Sequence, residues 1–282
     1  MNRLESARIA VVHDWLVTWR GGEQVLKALL ELLPQADVYT LVADHQRFAK
    51  ILQGHTTKTS WLQKLSMRSA FRNLLPLLPW TAERFQLQGY DLVISISHSV
   101  AKGVRVDKDT PHVCYCLSPM RYAWVAPEIY GQEIPKLLQP LWKPLIQYLK
   151  AWDHRVSNGV KHFITISQTV QNRITSCYDR PSEIVYPPVN VKQFGNTPPT
   201  ARDAYLVVSA LVPYKRTDLV IEAFNQLGKP LVIIGTGPQE QKLRQMAQSN
   251  IRFVGWLPEE ELQQWYAKAK ALIYPQVEDF GI

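Results

Sequence analysis

The part of the chain from Tyr205 onward constrains the fold most, because buried strands, loops and helices alternate there in the manner of a parallel α/β sheet. Strands are predicted at Tyr205–Ser209, Leu231–Ile234 and Leu272–Tyr274, and a helix is predicted over Asp218–Leu227. In a doubly wound sheet, ligands bind beyond the carboxyl ends of the strands. We therefore expect the loops after these strands to lie along one edge of the sheet.

The residues in these loops suit an anionic ligand that carries hydroxyl groups. Lys215 and Arg216 precede the helix, where cations and the positive end of the helix dipole both favour a diphosphate. Gly235 and Gly237 follow the second strand, and glycine allows the backbone to approach a ligand closely. Glu278 follows the third strand and can accept hydrogen bonds from a sugar diol. Together these loops predict a nucleotide-sugar site.

The amino-terminal part has the same organisation. Short apolar runs predict further strands at Arg8–Val12, Val38–Leu41, Leu92–Ser95, Val113–Leu117, Phe163–Ile166 and Ile184–Tyr186. Gly21 and Gly22 precede a helix predicted over 23–33, and they either approach a phosphate or acceptor or simply form a tight turn. His98 follows a strand among hydroxyl side chains, and it either contacts the sugar or acceptor or is a structural residue.

A loop rich in arginine and aromatic residues follows the strand at 113–117. Arg121, Tyr122 and Trp124 suit stacking on a sugar face beside a guanidinium group, so they are acceptor-binding candidates. The alternative is a loop that packs between domains. A proline-rich connection over 196–200 predicts a boundary between an acceptor-side domain, 1–195, and a nucleotide-sugar-binding domain, 196–282.

Several of these motifs carry a resemblance to a known family. The run Ser209–Asp218, Gly-Thr-Gly-Pro at 235–238 and Glu-Asp-Phe-Gly-Ile at 278–282 resemble the donor-binding half of family 4 glycosyltransferases. The motifs at 13–15, 21–26 and 119–124 are similar to a narrower group, the bacterial O-antigen and exopolysaccharide mannosyltransferase-like enzymes. The resemblance implies an α/β GT-B fold, with two Rossmann-like doubly wound domains facing a cleft. It also implies a retaining, metal-independent hexosyltransferase with GDP-mannose as the favoured donor and no cofactor.

The motifs and the resemblance together give a set of site residues. The catalytic candidates are Lys215, Glu278 and His98. The donor-binding candidates are Gly21, Gly22, Lys215, Arg216, Gly235, Gly237, Glu278, Phe280, Gly281 and Ile282. The chain departs from the family at Ala210, where Arg is common, and at Leu117, where His is usual. It stops at Ile282, so we expect an incomplete carboxy-terminal domain. The alternative is a non-catalytic sugar-nucleotide or glycan-binding protein, or an inactive fragment.

The composition of the chain limits the kinds of partner that it can bind. The 282 residues are 46% hydrophobic and carry a formal net charge of +8, which indicates a globular protein with anionic partners. The basic residues form no nucleic-acid-like runs, and the third glycine of a dinucleotide fingerprint is missing. Asp107-Lys108-Asp109 precedes a proline and is interpreted as a turn rather than a metal site. No signal peptide or apolar span is evident, so a cytoplasmic location is expected.

Two helices are predicted to carry basic residues on their surface. Lys64, Arg68 and Arg72 recur on a helix predicted over Trp61–Asn73, with apolar residues continuing to Trp80. This stretch either lies on the inner face of an anionic membrane or is a surface helix with a solvated basic face. A second helix is predicted over Ile134–Ser157. Its expected core face is Leu138, Leu141, Trp142, Leu145, Tyr148, Leu149 and Trp152.

Overall fold

The computed structural model describes residues 6–65, 70–132, 134–189, 191 and 203–281. The chain divides into two compact units. One consists of the residues up to Pro188 together with the segment that starts at Asp279, and the other runs from Val189 to Glu278. The predicted boundary between 195 and 196 and the proline-rich connection over 196–200 lie outside the described residues.

The first unit is built on a parallel sheet with helices between its strands. Its strands are β1 (Ile9–His13), β2 (Asp37–Thr40), β3 (Thr57–Thr59), β4 (Gln86–Leu87), β5 (Leu92–Ser97), β6 (Arg105–Val106), β7 (His112–Cys116), β8 (His162–Thr165) and β9 (Glu183–Ile184). Its helices are α1 (Gly21–Leu32), α2 (Ala49–Leu52), α3 (Leu78–Glu83), α4 (Pro127–Gln132), α5 (Gln139–Ser157) and α6 (Gln168–Tyr178). Among the described residues, the main sheet has seven strands in the order β3-β2-β1-β5-β7-β8-β9.

The second unit repeats this plan on a smaller scale. Its strands are β10 (Ala204–Val208), β11 (Leu231–Ile234), β12 (Ile251–Gly255) and β13 (Ala269–Leu272). Its helices are α7 (Thr217–Leu227), α8 (Glu240–Met246) and α9 (Glu259–Lys268). In the described part of this unit the strands are all parallel, in the order β12-β11-β10-β13. The predicted α/β class with Rossmann-like, doubly wound sheets is confirmed.

Strand order places one reversal in each unit. The order runs outward in one direction from β1 to β3 and in the other from β1 to β5, so the connections diverge between β1 and β5. In the second unit the same divergence lies between β10 and β13. Loops that leave neighbouring strands in opposite directions leave a crevice at the carboxyl end of the sheet, and ligands bind there.

The helix predicted over Trp61–Asn73 lies only partly within the described residues, and there it is not an α-helix. The structure has 3-10 helices at Trp61–Leu65 and Ala70–Leu77 instead, and Arg68 lies outside the described residues. The Gln63 side-chain amide binds both the N–H and the C=O of Ala43, at 2.8 and 3.0 Å, so tertiary contacts fix this segment. Among the described residues, no helix is both long and apolar enough to cross a bilayer.

Three of the seven residues in the predicted core face of the 134–157 helix are exposed, so that part of the prediction is wrong. Leu149 and Trp152 are buried, but Leu138, Leu141 and Tyr148 are exposed. The first turns of α5 rest on Trp142, whose indole N–H donates to the carbonyl of Pro127 at 2.9 Å. Apolar residues here occupy two sides of the helix, and spacing alone does not reveal which side meets the protein.

The last predicted strand is displaced toward the amino terminus. The strand expected at 272–274 is found at Ala269–Leu272, directly after α9. The other strands begin and end within about two residues of the expected positions, which is the ordinary uncertainty of element boundaries.

A buried ion pair crosses the core of the first unit. The Lys102 ammonium group contacts the Asp153 carboxylate, and both side chains are fully buried. Asp153 also accepts hydrogen bonds from the Trp124 indole at 2.9 Å and from the Tyr178 hydroxyl at 2.6 Å. Burial alone would lower the pKa of Lys102, but the Asp153 carboxylate raises it, and the net shift is upward. The pair therefore holds α5, α6 and the 121–125 loop together.

We expect Lys102→Met to lower the free energy of unfolding by about 3–5 kcal/mol, because it leaves the Asp153 carboxylate buried without its cation. Urea unfolding followed by tryptophan fluorescence measures the change. Lys108→Met is the control, since Lys108 is exposed on a turn. Equal stability of the two variants would show that the buried pair contributes nothing.

Candidate functional site

The Asp14 carboxylate joins the ends of β1 and β5, where the strand order of the first unit reverses. It is completely buried and accepts four backbone N–H groups, those of His98, Ser99, Val100 and Ala101, at 2.6 to 2.9 Å. Burial alone would raise the pKa of Asp14, but His98 and these N–H groups lower it well below its usual value. Asp14 is therefore ionised, and it fixes the turn that carries His98.

His98 is oriented by the same carboxylate. Its Nδ1 atom lies 3.0 Å from Asp14 Oδ2, and the ring makes an edge-to-face contact with Trp15 at 4.7 Å between centroids. The side chain is about one third exposed, at 34%. Because Nδ1 donates to the carboxylate, Nε2 is the ring nitrogen left for a ligand, as in carboxylate–histidine pairs of enzymes. This geometry favours the functional interpretation of His98.

His13 presents an unsatisfied acceptor beneath the first turn of α1. Nδ1 is 3.1 Å from the carbonyl of Trp15, so it carries the proton, and burial lowers the pKa of His13. Nε2 has no hydrogen-bond partner among the described residues. It lies 3.5 Å from the position of a Cβ on Gly22, and the Leu117 side chain lies 2.8 Å from that position. A neutral imidazole at this place accepts hydrogen bonds from hydroxyl groups rather than binding phosphate.

The two glycines form the first turn of α1 itself. The predicted helix began at 23, but α1 starts at Gly21. The Glu23 carboxylate accepts a hydrogen bond from the backbone N–H of Arg20 at 2.8 Å. First-turn N–H groups have no partner within the helix, so they point toward whatever lies before it. The absence of a side chain at Gly22 leaves room for Leu117 to pack there.

The predicted acceptor loop forms a π-turn over Arg121–Val125, in which the N–H of Ala126 reaches the carbonyl of Arg121 at 2.9 Å. The Tyr122 hydroxyl lies 2.7 Å from Ser99 Oγ, and burial raises the pKa of Tyr122. Trp124 donates to Asp153 inside the unit. Tyr122 and Trp124 thus make internal contacts, which favours a packing role for both.

Arg121 lies in a cluster with Arg173 and Asp279. Arg173 Nη1 is 2.5 Å from Asp279 Oδ1, and Arg121 Nη1 is 3.9 Å from Asp279 Oδ2. Phe280 packs on Tyr186, with ring centroids 5.8 Å apart. Asp279, Phe280 and Gly281 therefore belong to the first unit, although the sequence placed them in the second domain. Ile282 lies outside the described residues.

Lys215 and Glu278 meet in the second unit. Lys215 follows β10 and Glu278 follows β13, and these are the two strands between which the order reverses. Their side chains form an ion pair, and each is only 16% exposed. The Lys215 ammonium group also lies 5.5 Å from the centre of the Tyr214 ring. The sequence therefore predicted correctly that these loops lie at one edge of the sheet.

The start of α7 has two unusual features. Arg216 has φ of 53°, a left-handed conformation that is strained for a residue with a side chain, and its guanidinium group binds Asp218 at 3.1 Å. Thr217 is buried, and its Oγ1 atom has no partner within the described residues. A helix N-terminus with an unsatisfied hydroxyl, next to Lys215, is suited to an anion.

Gly235 and Gly237 allow two backbone segments to touch. A Cβ on Gly235 would lie 1.9 Å from the carbonyl oxygen of Ser209, and one on Gly237 would lie 2.3 Å from that of Leu211. The N–H of Leu211 donates to the carbonyl of Thr236 at 3.0 Å. The two glycines thus hold the loop after β11 against the loop after β10, which leads to Lys215.

Asp14 and Arg173 were not predicted as site residues. Asp14 is part of a His-Asp-Trp run directly after a buried strand, and an acidic residue in that position was the available signal. Arg173 lies on α6, and nothing in the neighbouring sequence indicates that it contacts Asp279. Among the described residues no three His, Cys, Asp or Glu side chains converge as metal ligands. Independence from metal stays a prediction.

Two family models match the sequence. Residues 19–193 match the model described as Glycosyltransferase Family 4, and residues 190–282 match the model described as Glycosyl transferases group 1. A comparison with curated protein sequences gave no significant match.

Solved structures are similar to this chain at low sequence identity. Anabaena HepE in complex with UDP-glucose is 16% identical, with 95% of this chain and 74% of that chain covered and a TM-score of 0.62. TarM is 10% identical, with 97% and 81% covered and a TM-score of 0.60. AviGT4, a glycosyltransferase involved in avilamycin A biosynthesis, is 13% identical, with 98% and 71% covered and a TM-score of 0.54. These likenesses concern the fold.

We expect Asp14→Asn to lower the free energy of unfolding by at least about 3 kcal/mol at neutral pH, since an amide cannot replace the ionised acceptor. Because the pKa of Asp14 is lowered in the folded protein, its contribution is present above about pH 4 and is lost as the pH falls further. The difference in free energy of unfolding between wild type and variant should therefore become smaller at acidic pH. Urea unfolding at several pH values measures it, with the exposed Asp107→Asn as control. A gap that is independent of pH would contradict the role of the charge.

We expect Gly237→Ala to destabilise the second unit by about 1–3 kcal/mol, because the new methyl group would overlap the backbone of Leu211. Thermal unfolding followed by circular dichroism measures the change. Gly159→Ala is the control, because its Cβ would lie at an ordinary 3.4 Å from the nearest atom. If Gly237→Ala were as stable as the control, the close approach of the two loops would not be required.

Proposed function

The chain belongs to Glycosyltransferase Family 4 and has the GT-B fold, and from this we propose that it transfers a hexose from a nucleoside diphosphate sugar to a hydroxyl group of a glycan or lipid-linked acceptor. The observation that carries the proposal is the Lys215–Glu278 pair at the strand-order reversal of the second unit. A cation and a carboxylate placed together there match the two halves of such a donor: the diphosphate and the sugar hydroxyls.

The diphosphate of the donor binds at the start of α7 in this proposal. Lys215 leaves Glu278 and neutralises the phosphates, Thr217 supplies its unsatisfied hydroxyl, and the first-turn N–H groups supply the positive end of the helix dipole. Arg216 contributes once its guanidinium exchanges Asp218 for phosphate. These side chains take the part that a metal ion has in other phosphate-transfer sites.

The sugar and acceptor are bound through hydroxyl groups. Glu278, released from Lys215, accepts hydrogen bonds from the sugar diol. In the first unit, His98 Nε2 accepts a hydrogen bond from a hydroxyl group of the acceptor, and Asp14 holds the ring in place. The N–H groups of Gly21 and Gly22 add fixed dipoles at the amino terminus of α1, and Gly281 adds another. Arg121 is the acceptor-side contact of the 121–125 loop that the geometry favours.

The chemical step breaks the bond between the anomeric carbon and the oxygen of the terminal phosphate. The acceptor oxygen forms the new bond to the anomeric carbon, and its proton passes to the departing phosphate oxygen. No strong general base is then required, and the main task of the protein is to stabilise the charge of the leaving diphosphate. We propose retention of the anomeric configuration, as the family resemblance implies.

Two nucleotide sugars are candidate donors. GDP-mannose is the donor implied by the resemblance to O-antigen and exopolysaccharide mannosyltransferase-like enzymes. UDP-glucose is bound by the structurally similar HepE of Anabaena. A product in polysaccharide biosynthesis and a location at the inner face of the membrane are parts of the same proposal. Within the described part of the 61–80 stretch, the exposed side chains of Lys64, Leu77 and Trp80 support that location.

A second candidate is a protein that binds a sugar nucleotide without transferring the sugar. Leu117 favours it, because an apolar side chain fills the space beside Gly22 where the family usually has histidine. Titration calorimetry with GDP-mannose and UDP-glucose, followed by product analysis, separates the two candidates. Donor binding without hydrolysis or transfer to any acceptor supports the second.

We expect Lys215→Ala to weaken binding of the free nucleoside diphosphate by about tenfold and to lower turnover by about a hundredfold, because the leaving group loses its cation. Calorimetry with GDP and UDP and a radiolabelled transfer assay measure the two effects. Lys229→Ala is the control, since Lys229 is exposed in the same unit.

Lys215→Ala removes the cation and also leaves the Glu278 carboxylate without its partner. Glu278→Gln separates these two effects. It releases Lys215, so binding of the nucleoside diphosphate should be unchanged or tighter. Turnover should fall, because a neutral amide oxygen accepts hydrogen bonds from the sugar hydroxyls more weakly than a carboxylate does. Unchanged diphosphate binding by Lys215→Ala would contradict the proposed phosphate site.

A further inference from the structure

Trp256, in the second unit, leaves most of its indole ring in water. It is 73% exposed, the largest value among the nine tryptophans of the chain, all of which lie within the described residues. Tryptophan is highly buried on average, because its ring is the largest apolar side chain. An indole ring in water at a ligand-binding edge is suited to stacking on a flat ligand.

The backbone holds Trp256 at the carboxyl edge of the sheet, where ligands bind. The residue directly follows β12, and Gly255 before it has φ of 86°, which glycine adopts without strain. The carbonyl of Gly255 accepts the N–H of Gly235 at 2.8 Å. Leu257 after it packs against an apolar cluster of the same sheet that includes Ile234. Contacts on both sides of Trp256 therefore fix the turn that carries the ring.

The spacing between the ends of β12 and β10 fits a nucleoside diphosphate. These strands are separated by β11, so at the usual spacing of strands their ends lie about 10 Å apart. In a nucleoside diphosphate the ribose separates the base from the phosphates, and the extended molecule covers a distance of this order. The loop between them is Gly-Thr-Gly at 235–237, so little side-chain volume lies in the path from Trp256 to Lys215.

The size of the ring favours one class of base. Indole is a fused pair of rings, as are the purines, so a stacked purine can cover the whole face of Trp256. A pyrimidine has a single ring and covers about half of that face. Apolar stabilisation is proportional to the area removed from water, and base–aromatic stacking follows the same trend. Trp256 therefore stabilises a purine more than a pyrimidine.

We propose that Trp256 stacks on the base of the donor and makes the protein prefer a purine over a pyrimidine nucleoside diphosphate. This inference rests on the proposed function, because it requires the diphosphate to lie at Lys215. It also selects between the two candidate donors. The guanine of GDP-mannose covers the indole ring, whereas the uracil of UDP-glucose covers only part of it.

Calorimetry on the full chain with GDP, UDP and inorganic pyrophosphate tests the proposal. We expect the wild type to bind GDP more tightly than UDP. Trp256→Ala should weaken binding of GDP by about twentyfold and binding of UDP by about threefold, and it should leave binding of pyrophosphate unchanged. Trp256→Phe keeps one aromatic ring, so its affinity for GDP should be intermediate. Leu227→Ala is the control, since this leucine of α7 is 57% exposed.

Three results would overturn the proposal. One is a wild type that binds GDP no more tightly than UDP. Another is an equal loss of affinity for GDP and UDP, or no loss, in Trp256→Ala. A third is weaker binding of pyrophosphate by Trp256→Ala, which would show that the substitution disturbs the phosphate site. Thermal unfolding of each variant confirms that the fold is intact.

Guanosine distinguishes failure of this inference from failure of the proposed function. It carries no phosphate, so its binding should depend on Trp256 and not on Lys215, and quenching of tryptophan fluorescence measures it. If Lys215→Ala binds pyrophosphate as well as the wild type does, while Trp256→Ala loses guanosine, the proposed phosphate site is wrong and the stacking contact is supported. The reverse result supports the phosphate site and overturns the role of Trp256.

Discussion

The buried Asp14 carboxylate fixes the carboxyl ends of the two central strands of the first unit, β1 and β5. Removing an ion such as Asp14 from water is costly, and only a shell of directed donors makes it tolerable. Here the shell consists of the turn after β5 and the ring of His98. Asp14, which follows β1, thereby fixes the backbone conformation of the turn that follows β5. His98 is held in one place and one tautomer before any ligand arrives, which is the preorganisation that a catalytic or binding histidine needs.

Both units place their reactive side chains at the same topological position. In the first, Asp14 and His98 come from β1 and β5, and in the second, Lys215 and Glu278 come from β10 and β13. These are residues distant in sequence that strand order alone makes neighbours. The common plan explains why two sheets of different size offer comparable binding edges.

The sequence predicted the parallel sheets well, because buried strands such as β11 are uninterrupted apolar runs and need no partner to be recognised. It predicted the Lys215–Glu278 edge for the same reason. The predictions failed where contacts with distant residues determine the local conformation or the exposed face of a helix. Gln63 binding to Ala43 replaced an expected helix, and Trp142 on Gly131 decided which leucines of α5 stay exposed. Arg173 and Asp14 act through partners that no local pattern shows. Gly235 and Gly237 were associated with a phosphate, whereas their close contacts are with neighbouring backbone.

The π-turn over Arg121–Val125 has a consequence for how this family member can diverge. Such a turn contains one residue more than the α-helical spacing requires. Loss of one residue there would restore regular spacing, but it would also swing the following side chains by roughly 100° around the axis. Arg121 would then part from Asp279, or Trp124 from Asp153. Single-residue deletions in this loop should therefore be rare among descendants of this gene, while point replacements remain open to selection.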